Sequence, residues 1–349
     1  MLHADNVSVS EVVVDAAALR QIVVETLVGS GATSADAEKQ ARILIEGDLR
    51  GQHSHGVRRL PVLVERLRRG LIVSGADPIP NWRSDSVALI DGQRSFGPVA
   101  AAVAIDAITE RAKASGIALA AVANSNHIGM LAPYVEDIAE GGQIGIAFTT
   151  SEALVHPWGG TRAMLGTNPI GIAVPTADEP LVVDLSTASV SMGKILDYAA
   201  ADRPIPLGWA VDAAGDPTTD AAAAASGAIS PFGGPKGYAL GIALEVLVAT
   251  LTGTSFGTKV RGTLDVEDVA TKGDLFLAIS LEAIDGAQLL PALSAYLAEV
   301  RNSGRRPGDV TIPGDRARAA RRAALQRGIR LYPGVWDQVR TLHEEVHVD

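Results

Sequence analysis

The chain has 349 residues, 47% hydrophobic, 20% charged and 4% aromatic, with a formal net charge of −10 and no cysteine. That is enough chain for two or three domains with a sizeable buried core. The acidic balance and scarce aromatics argue against a nucleic-acid partner, and the missing cysteines exclude disulfides, thiolate nucleophiles and cysteine-ligated metals.

The first fifteen residues include Asp5, Glu11 and Asp15, which does not match the basic and then apolar start of a secretory leader, so a cytoplasmic location is expected. Asp15 is placed to cap a helix whose Leu19, Ile22, Val23 and Leu27 follow the helical period, with Gly29 as its stop. A second helix follows Ser34, with Asp36 and Glu38 in its first turn, and runs to about Arg50. A third begins beyond Pro61, whose missing N–H costs nothing in a first turn.

From about residue 80 short β-branched runs alternate with helical ones: "SVALID", "AAAVAIDAITERAKASG", "IALAAVA", "LAPYVEDIAEGG" and "QIGIAFTT". Further strands are expected at "IGIAVP", "LVVDL" and "DLFLAIS", with helices near 190–200 and 237–252. The second of these, "GYALGIALEVLVATLTG", contains Glu245 and is too short for a membrane span, so it reads as a buried helix. "DAAGDPTTDAAAAASGAISPFGGPKG" reads as long loop, and its Ala run at 221–225 as too short to set an architecture. The last 60 residues return to helix.

Two apparent signatures fail on context. "GSGATS" follows a helix, not a strand, and has Ser34 where a third glycine belongs, while "GTSFGTK" has the wrong spacing for a phosphate loop. "HEEVH" is a literal H-E-x-x-H, which puts His343 and His347 on one helical face with Glu344 as the general base of a zinc hydrolase. Only Val348 and Asp349 follow it, leaving almost nowhere for a downstream third ligand. No metal is expected.

"GQHSHGVRRLP" at 51–61 carries more. If a helical turn starts at Ser54, His55 and Arg59 fall on one side at a four-residue spacing while Arg58 points elsewhere. A guanidinium fork beside an imidazole suits a small anionic 2-oxo or 2-hydroxy acid: Arg59 grips the carboxylate, His55 exchanges a proton with the neighbouring oxygen, and Ser54 orients the imidazole. Gly56 is expected to keep bulk away from the site. In "NSNHIGMLAPYVED" a strand turns through His127 and Gly129 into a helix, where glycine admits an anion and the helix start offers N–H groups.

These segments, with "DLRGQHSHGVRRLP", "HPWGGTRAMLGTNPIGIAVP", "VVDLSTASVSMGKI", "GGPKGYALGIALEVLVATLTG" and, more loosely, "VTIPGDRARA" following in order, resemble the type-2 malate/L-lactate dehydrogenase family over nearly the whole chain. The resemblance implies hydride transfer between NAD or NADP and C2 of a small 2-oxo or 2-hydroxy acid, in a homodimer whose sites form partly between subunits. It places the family's serine–histidine pair on Ser54 and His55, its carboxylate-binding arginine on Arg59, and an alternative acid/base on His127. Substrate contacts fall on Thr167 and Asn168. Cofactor contacts fall on His127, Ile128, Gly129, Met130 and Leu131, on Asp184, Leu185 and Ser186, on Pro235 and Lys236, and on Pro313, Gly314 and Asp315. Same-family alternatives are ureidoglycolate or sulfolactate dehydrogenase and cyclic imine acid reductase; Lys194 stands where some imine reducers carry aspartate. His53 stands where many relatives have aspartate, and would repel a protonated His55.

The expected fold is mixed α/β: a mixed-sheet cofactor region over 81–284, and a discontinuous helical domain from 1–80 and 285–349 with the catalytic loop and the dimer contacts. It is not a standard Rossmann fold.

Overall fold

The computed structural model describes residues 11–347, so Asp5, Val348 and Asp349 lie outside the described residues. Its N-terminal part holds β1 (Val12–Val14), α1 (Ala16–Gly29), α2 (Ser34–Leu49) and α3 (Leu60–Arg68). Asp15 caps α1 by accepting from the N–H groups of Ala17 and Ala18. Thr33, not Ser34, caps α2, accepting from Asp36. Between α2 and α3 the chain makes two tight turns, His53–His55 and Val57–Arg59.

The middle of the chain runs β2 (Pro80–Trp82), β3 (Val87–Asp91), α4 (Gly97–Ser115), β4 (Ile117–Ala123), α5 (Ala132–Glu140), β5 (Gln143–Thr149), β6 (Ile170–Val174), β7 (Leu181–Leu185) and α6 (Met192–Ala200). It continues through β8 (Ala210–Val211), α7 (Ala221–Ala225), β9 (Ala228–Ile229), α8 (Pro235–Thr252) and β10 (Asp274–Ser280), then α9 (Leu290–Arg301), α10 (Asp315–Arg327), β11 (Ile329–Leu331) and α11 (Pro333–Glu345). Seven strands form one mixed sheet in the order β2-β3-β4-β10-β5-β6-β7, with β3 and β4 its parallel pair. The late strand β10 inserts between β4 and β5, antiparallel to both, which is not the parallel ladder of a dinucleotide-binding Rossmann unit.

A core on the sheet gathers Ala104, Ile108 and Ala112 of α4, Val135 and Ile138 of α5, and Phe276 of β10. A second joins Leu19, Val23 and Leu27 to Leu60, Ile329, Leu331 and Val339, and β1 pairs antiparallel with β11, so the chain's two ends share one interior. Phe96 and Val99, from the sheet-forming stretch, also belong to that core. A third, smaller core forms around Val155, Leu165, Ile195, Ile229 and Ala224.

Two expectations change. The Ala run is helix α7, capped by the Asp220 carboxylate, and β8 and β9 pair on either side of it, so the expected long loop is partly ordered structure. Helix α8 is only half buried: Leu244 and Val248 are covered, whereas Ile242, Val246, Leu247 and Leu251 are exposed. Among the described residues no helix is long and apolar enough to cross a membrane.

Candidate active site

The loop after α2 is shaped by Asp48. Its buried carboxylate accepts the Val57 N–H at 2.7 Å and lies 2.8 Å from His53 Nδ1, holding both turns against the end of the helix. Helix α2 admits the loop at Gly47, where a Cβ would come within 2.8 Å of the His55 carbonyl. Gly56 is extended and separates the two turns, so the single helical turn expected from Ser54 does not form. Its role also differs from expectation: a Cβ there would overlap the Asp48 carboxylate, so Gly56 makes room for Asp48 and not for a ligand.

His55 and Arg59 still meet. Arg59 Nε donates to the Ser54 carbonyl at 2.7 Å, and Ser54 Oγ lies 2.9 Å from His55 Nδ1. Among the described residues Arg59 has no carboxylate partner, whereas Arg58 is paired with Asp197 of α6 at 2.9 Å. One arginine is free to hold an anion and the other pins α6 to the loop. His53 is held by Asp48, whose hydrogen bond raises its pKa.

The turn after β4 supplies the second histidine. Asn124 adopts a left-handed φ of 54° and donates to Asp91. Ser125 donates to the buried Asp274, and the buried Asn126 donates to the Arg94 and Ser95 carbonyls while accepting from Arg66. This leaves His127 stacked on His55, ring centroids 5.8 Å apart and planes 22° from parallel. The Gly129 N–H donates to His127 Nδ1 at 3.2 Å, so a neutral His127 carries its proton on Nε2.

Both imidazoles are held neutral. Burial, then the Arg59 charge, lowers His55 to about 4. Burial lowers His127 well below its ordinary value, and the neighbouring His55, Arg59, Lys272 and Arg66 push the same way. The pair thus sits in a cationic recess of an acidic protein, a setting that attracts a small anion.

Three of the expected cofactor segments adjoin one another. Asp184, at the end of β7, accepts from the N–H groups of Leu131 and Ala132, both at 2.8 Å. The start of α5 is therefore engaged by a carboxylate and does not offer those N–H groups to a phosphate. Gly129, with φ 76°, is required by Ile43, which a Cβ would meet at 2.5 Å, and not by an anion. Although one side of Asp184 meets solvent, crowding by protein on the others raises its carboxyl to about 6, against the pull of its two N–H donors. Thr187, next to Ser186, accepts the Phe232 N–H at 3.0 Å, which brings Pro235 and Lys236 alongside.

These residues fit a dinucleotide. Helix α8 starts after Gly234, at φ 64°, with no side-chain cap, so its first N–H groups and the exposed Lys236 are available to a diphosphate. Pro313, Gly314 and Asp315 lie apart from this wall: Asp315 binds Arg301 by two hydrogen bonds of 2.9 and 2.8 Å and also Arg318, which donates to the Pro180 carbonyl at the opposite end of β7. The Arg301 bond holds Asp315 at about 2. Thr167 lies beside Ser151, whose Oγ accepts its N–H at 3.0 Å. Asn168 is wholly buried, and its amide donates to Glu245 at 2.7 Å and to the Gly241 carbonyl at 3.1 Å. It fastens this turn to α8 instead of facing the recess. The "HEEVH" segment spans the last turn of α11 and the turn after it, outside this cluster, and Glu344 faces Arg340.

The profile of the malate/L-lactate dehydrogenase family matches residues 14–340. The chain belongs to that family. As a member it is an NAD(P)-dependent oxidoreductase of 2-hydroxy acids. It is 35% identical to a malate/(S)-sulfolactate dehydrogenase of Methanothermus fervidus, over 95% of this chain and 97% of that one. A dehydrogenase structure from Sinorhizobium meliloti superposes with a TM-score of 0.92 at 46% identity, covering 96% of this chain and 99% of that one. The sulfolactate dehydrogenase of Methanocaldococcus jannaschii gives 0.91 at 34% identity, covering 97% and 98%.

Several supports of this family member's site were not read from its sequence. Arg66 is fully buried and ties Asn126 to the carbonyls of Asp265 and Asp268, and Lys272 is buried against Asp274. Glu152 accepts from the N–H groups of Thr263 and Leu264. Arg66 sits on helix α3 and Glu152 in a loop, each with partners distant in sequence, and Lys272 pairs with Asp274 two residues on, where only the burial that the fold imposes marks the pair, so no local pattern picks them out.

Proposed function

We propose that the protein interconverts a small 2-hydroxy acid of the malate or sulfolactate kind with its 2-oxo acid, using Ser54, His55, Arg59 and His127. The observation that carries this is the stacked, neutral His55–His127 pair beside an arginine that has no carboxylate partner among the described residues. Arg59 holds the substrate carboxylate through its two Nη groups. In oxidation, neutral His55 takes the 2-hydroxyl proton. In reduction, protonated His55 returns it, and the substrate carboxylate offsets the Arg59 charge that otherwise disfavours that protonated form.

His55 suits the acid/base part better than His127. Ser54 Oγ can accept from His55 Nδ1–H, which leaves His55 Nε2 with the lone pair to exchange the substrate proton, whereas His127 Nδ1 is committed to a backbone donor and its Nε2 already carries the proton. His127 then serves as a fixed Nε2–H donor to the substrate oxygen. The 127–131 and 184–186 segments would hold a nicotinamide dinucleotide, with Pro235 and Lys236 at its diphosphate and Pro313 to Asp315 further out, and when bound it would supply the hydride chemistry at C2. Thr167 lines the substrate side.

The test is a panel of oxaloacetate, sulfopyruvate, pyruvate and a cyclic imine acid, followed by loss of NADH or NADPH absorbance. Oxaloacetate or sulfopyruvate is expected to give the highest kcat/KM, and a preference for the imine would overturn the reading.

A further inference from the structure

The "HEEVH" segment has no part in the site above, yet the fold completes it from an unexpected side. His343 and His347 lie one turn apart at the end of α11, ring centroids 4.4 Å apart. Helix α1 brings Glu25 against them, its Oε2 3.5 Å from His343 Nε2. One nitrogen from each ring and one carboxylate oxygen all lie within 4.8 Å of one another.

The hydrogen bonds around the trio present the atoms a metal needs. His347 Nδ1 donates to the His343 carbonyl at 2.7 Å, which leaves its Nε2 with a free lone pair. His343 Nδ1 lies 3.5 Å from Thr26 Oγ1, a hydroxyl whose own proton goes to the Ile22 carbonyl at 2.7 Å and which is left to accept. Gln21 donates to Glu25 Oε1 at 2.6 Å, leaving Oε2 turned to the histidines. Two imidazoles and a carboxylate suit zinc and its borderline neighbours, with an open position for water. Glu344 is not in the cluster: its carboxylate lies 3.8 Å from Arg340, so the general base of a zinc hydrolase is missing.

We propose that Glu25, His343 and His347 bind one zinc-class divalent cation, which clasps α11 to α1. Helix α11 also packs on α3 and on the turn that carries Arg59, so the clasp secures the support behind that turn.

The test is a titration of the tag-free full chain, stripped with EDTA, with zinc chloride by isothermal calorimetry, alongside thermal unfolding. One zinc ion per chain is expected to bind at this trio, and a large excess is expected to raise Tm by about 5 °C. Both H347Q and E25Q, changes at solvent-accessible side chains, are expected to weaken that binding at least tenfold, while E344Q leaves it unchanged. Absence of saturable binding, wild-type affinity in H347Q or E25Q, or equal weakening by E344Q would each overturn the proposal.

Discussion

Arg58 and Arg59 are adjacent and chemically identical, and the fold gives them opposite tasks. Arg58 is paired with Asp197, while Arg59 reaches back to the Ser54 carbonyl and, in the proposed function, keeps its Nη groups for substrate. Arg59→Ala is expected to raise the KM for the 2-oxo acid by about 100-fold, the worth of a charged bidentate contact. Arg58→Ala should change it by only a few-fold, and equal effects in steady-state assays would contradict the assignment. With His55 as the proposed acid/base, its titration is expected to set the pH dependence. Its pKa is lowered to about 4 in the free enzyme, so kcat/KM for oxidation, which needs the neutral ring, is expected to be flat near neutrality and to fall as pH drops through about 4. For reduction, which needs the protonated ring, kcat/KM falls as pH rises above that value. A limb at the ordinary 6.5 in both directions would assign the titration to another group. His55→Ala is expected to lower kcat at least about 100-fold, with His127→Ala lowering it less. That Arg59, and not Arg58, reaches back to the Ser54–His55 turn was legible in the four-residue spacing, even though the backbone at Gly56 is extended and not helical. The tasks of Gly56 and Asn168 were not, because each answers to a residue that sequence does not place beside it: Asp48 for one and Glu245 for the other.

At the scale of elements, the turn carrying His127 depends on a buried ion pair. Lys272 and Asp274 are each about 1% exposed, and Asp274 also accepts from Ser125 and Thr149 at 2.9 and 2.6 Å. Removing one partner leaves a buried charge with too few donors, so Lys272→Met is expected to destabilise the protein by about 3–5 kcal/mol, measured by urea unfolding. Adding Asp274→Asn should recover part of the loss, since the uncompensated charge goes with it. A single variant as stable as wild type would show that the pair does not support the turn. Long elements with strong period were readable in advance, α4 and β4 among them, because their own residues bury one face. The two- and three-residue strands β1, β8, β9 and β11 were not: each exists through a partner elsewhere, as Val12–Val14 does through Ile329–Leu331.

At the scale of the whole molecule, α8 is the element that the single chain leaves unfinished. It is apolar nearly all round, a composition that belongs to a helix covered on every side. Leu244 and Val248 meet the protein, Val248 joining a small cluster with Ala121 and Leu275. Ile242, Val246, Leu247 and Leu251 remain open, with Val246 57% exposed. Reading "GYALGIALEVLVATLTG" as a buried helix is therefore right for the face toward the sheet and incomplete for the other, because periodicity does not tell a cover within the chain from a cover by a second copy. The family resemblance carries the expectation of a homodimer, and α8 begins at Pro235 and Lys236, the residues proposed for the diphosphate, so a partner seated on this helix would also fix their position. The protein is expected to sediment as a dimer at micromolar concentration. A carboxylate at the most exposed point of the face, Val246→Glu, should shift it toward monomer and raise the KM for NAD(P)H, while leaving the far-ultraviolet circular dichroism unchanged. A monomeric wild type, or a fully dimeric Val246→Glu, would remove α8 from the interface.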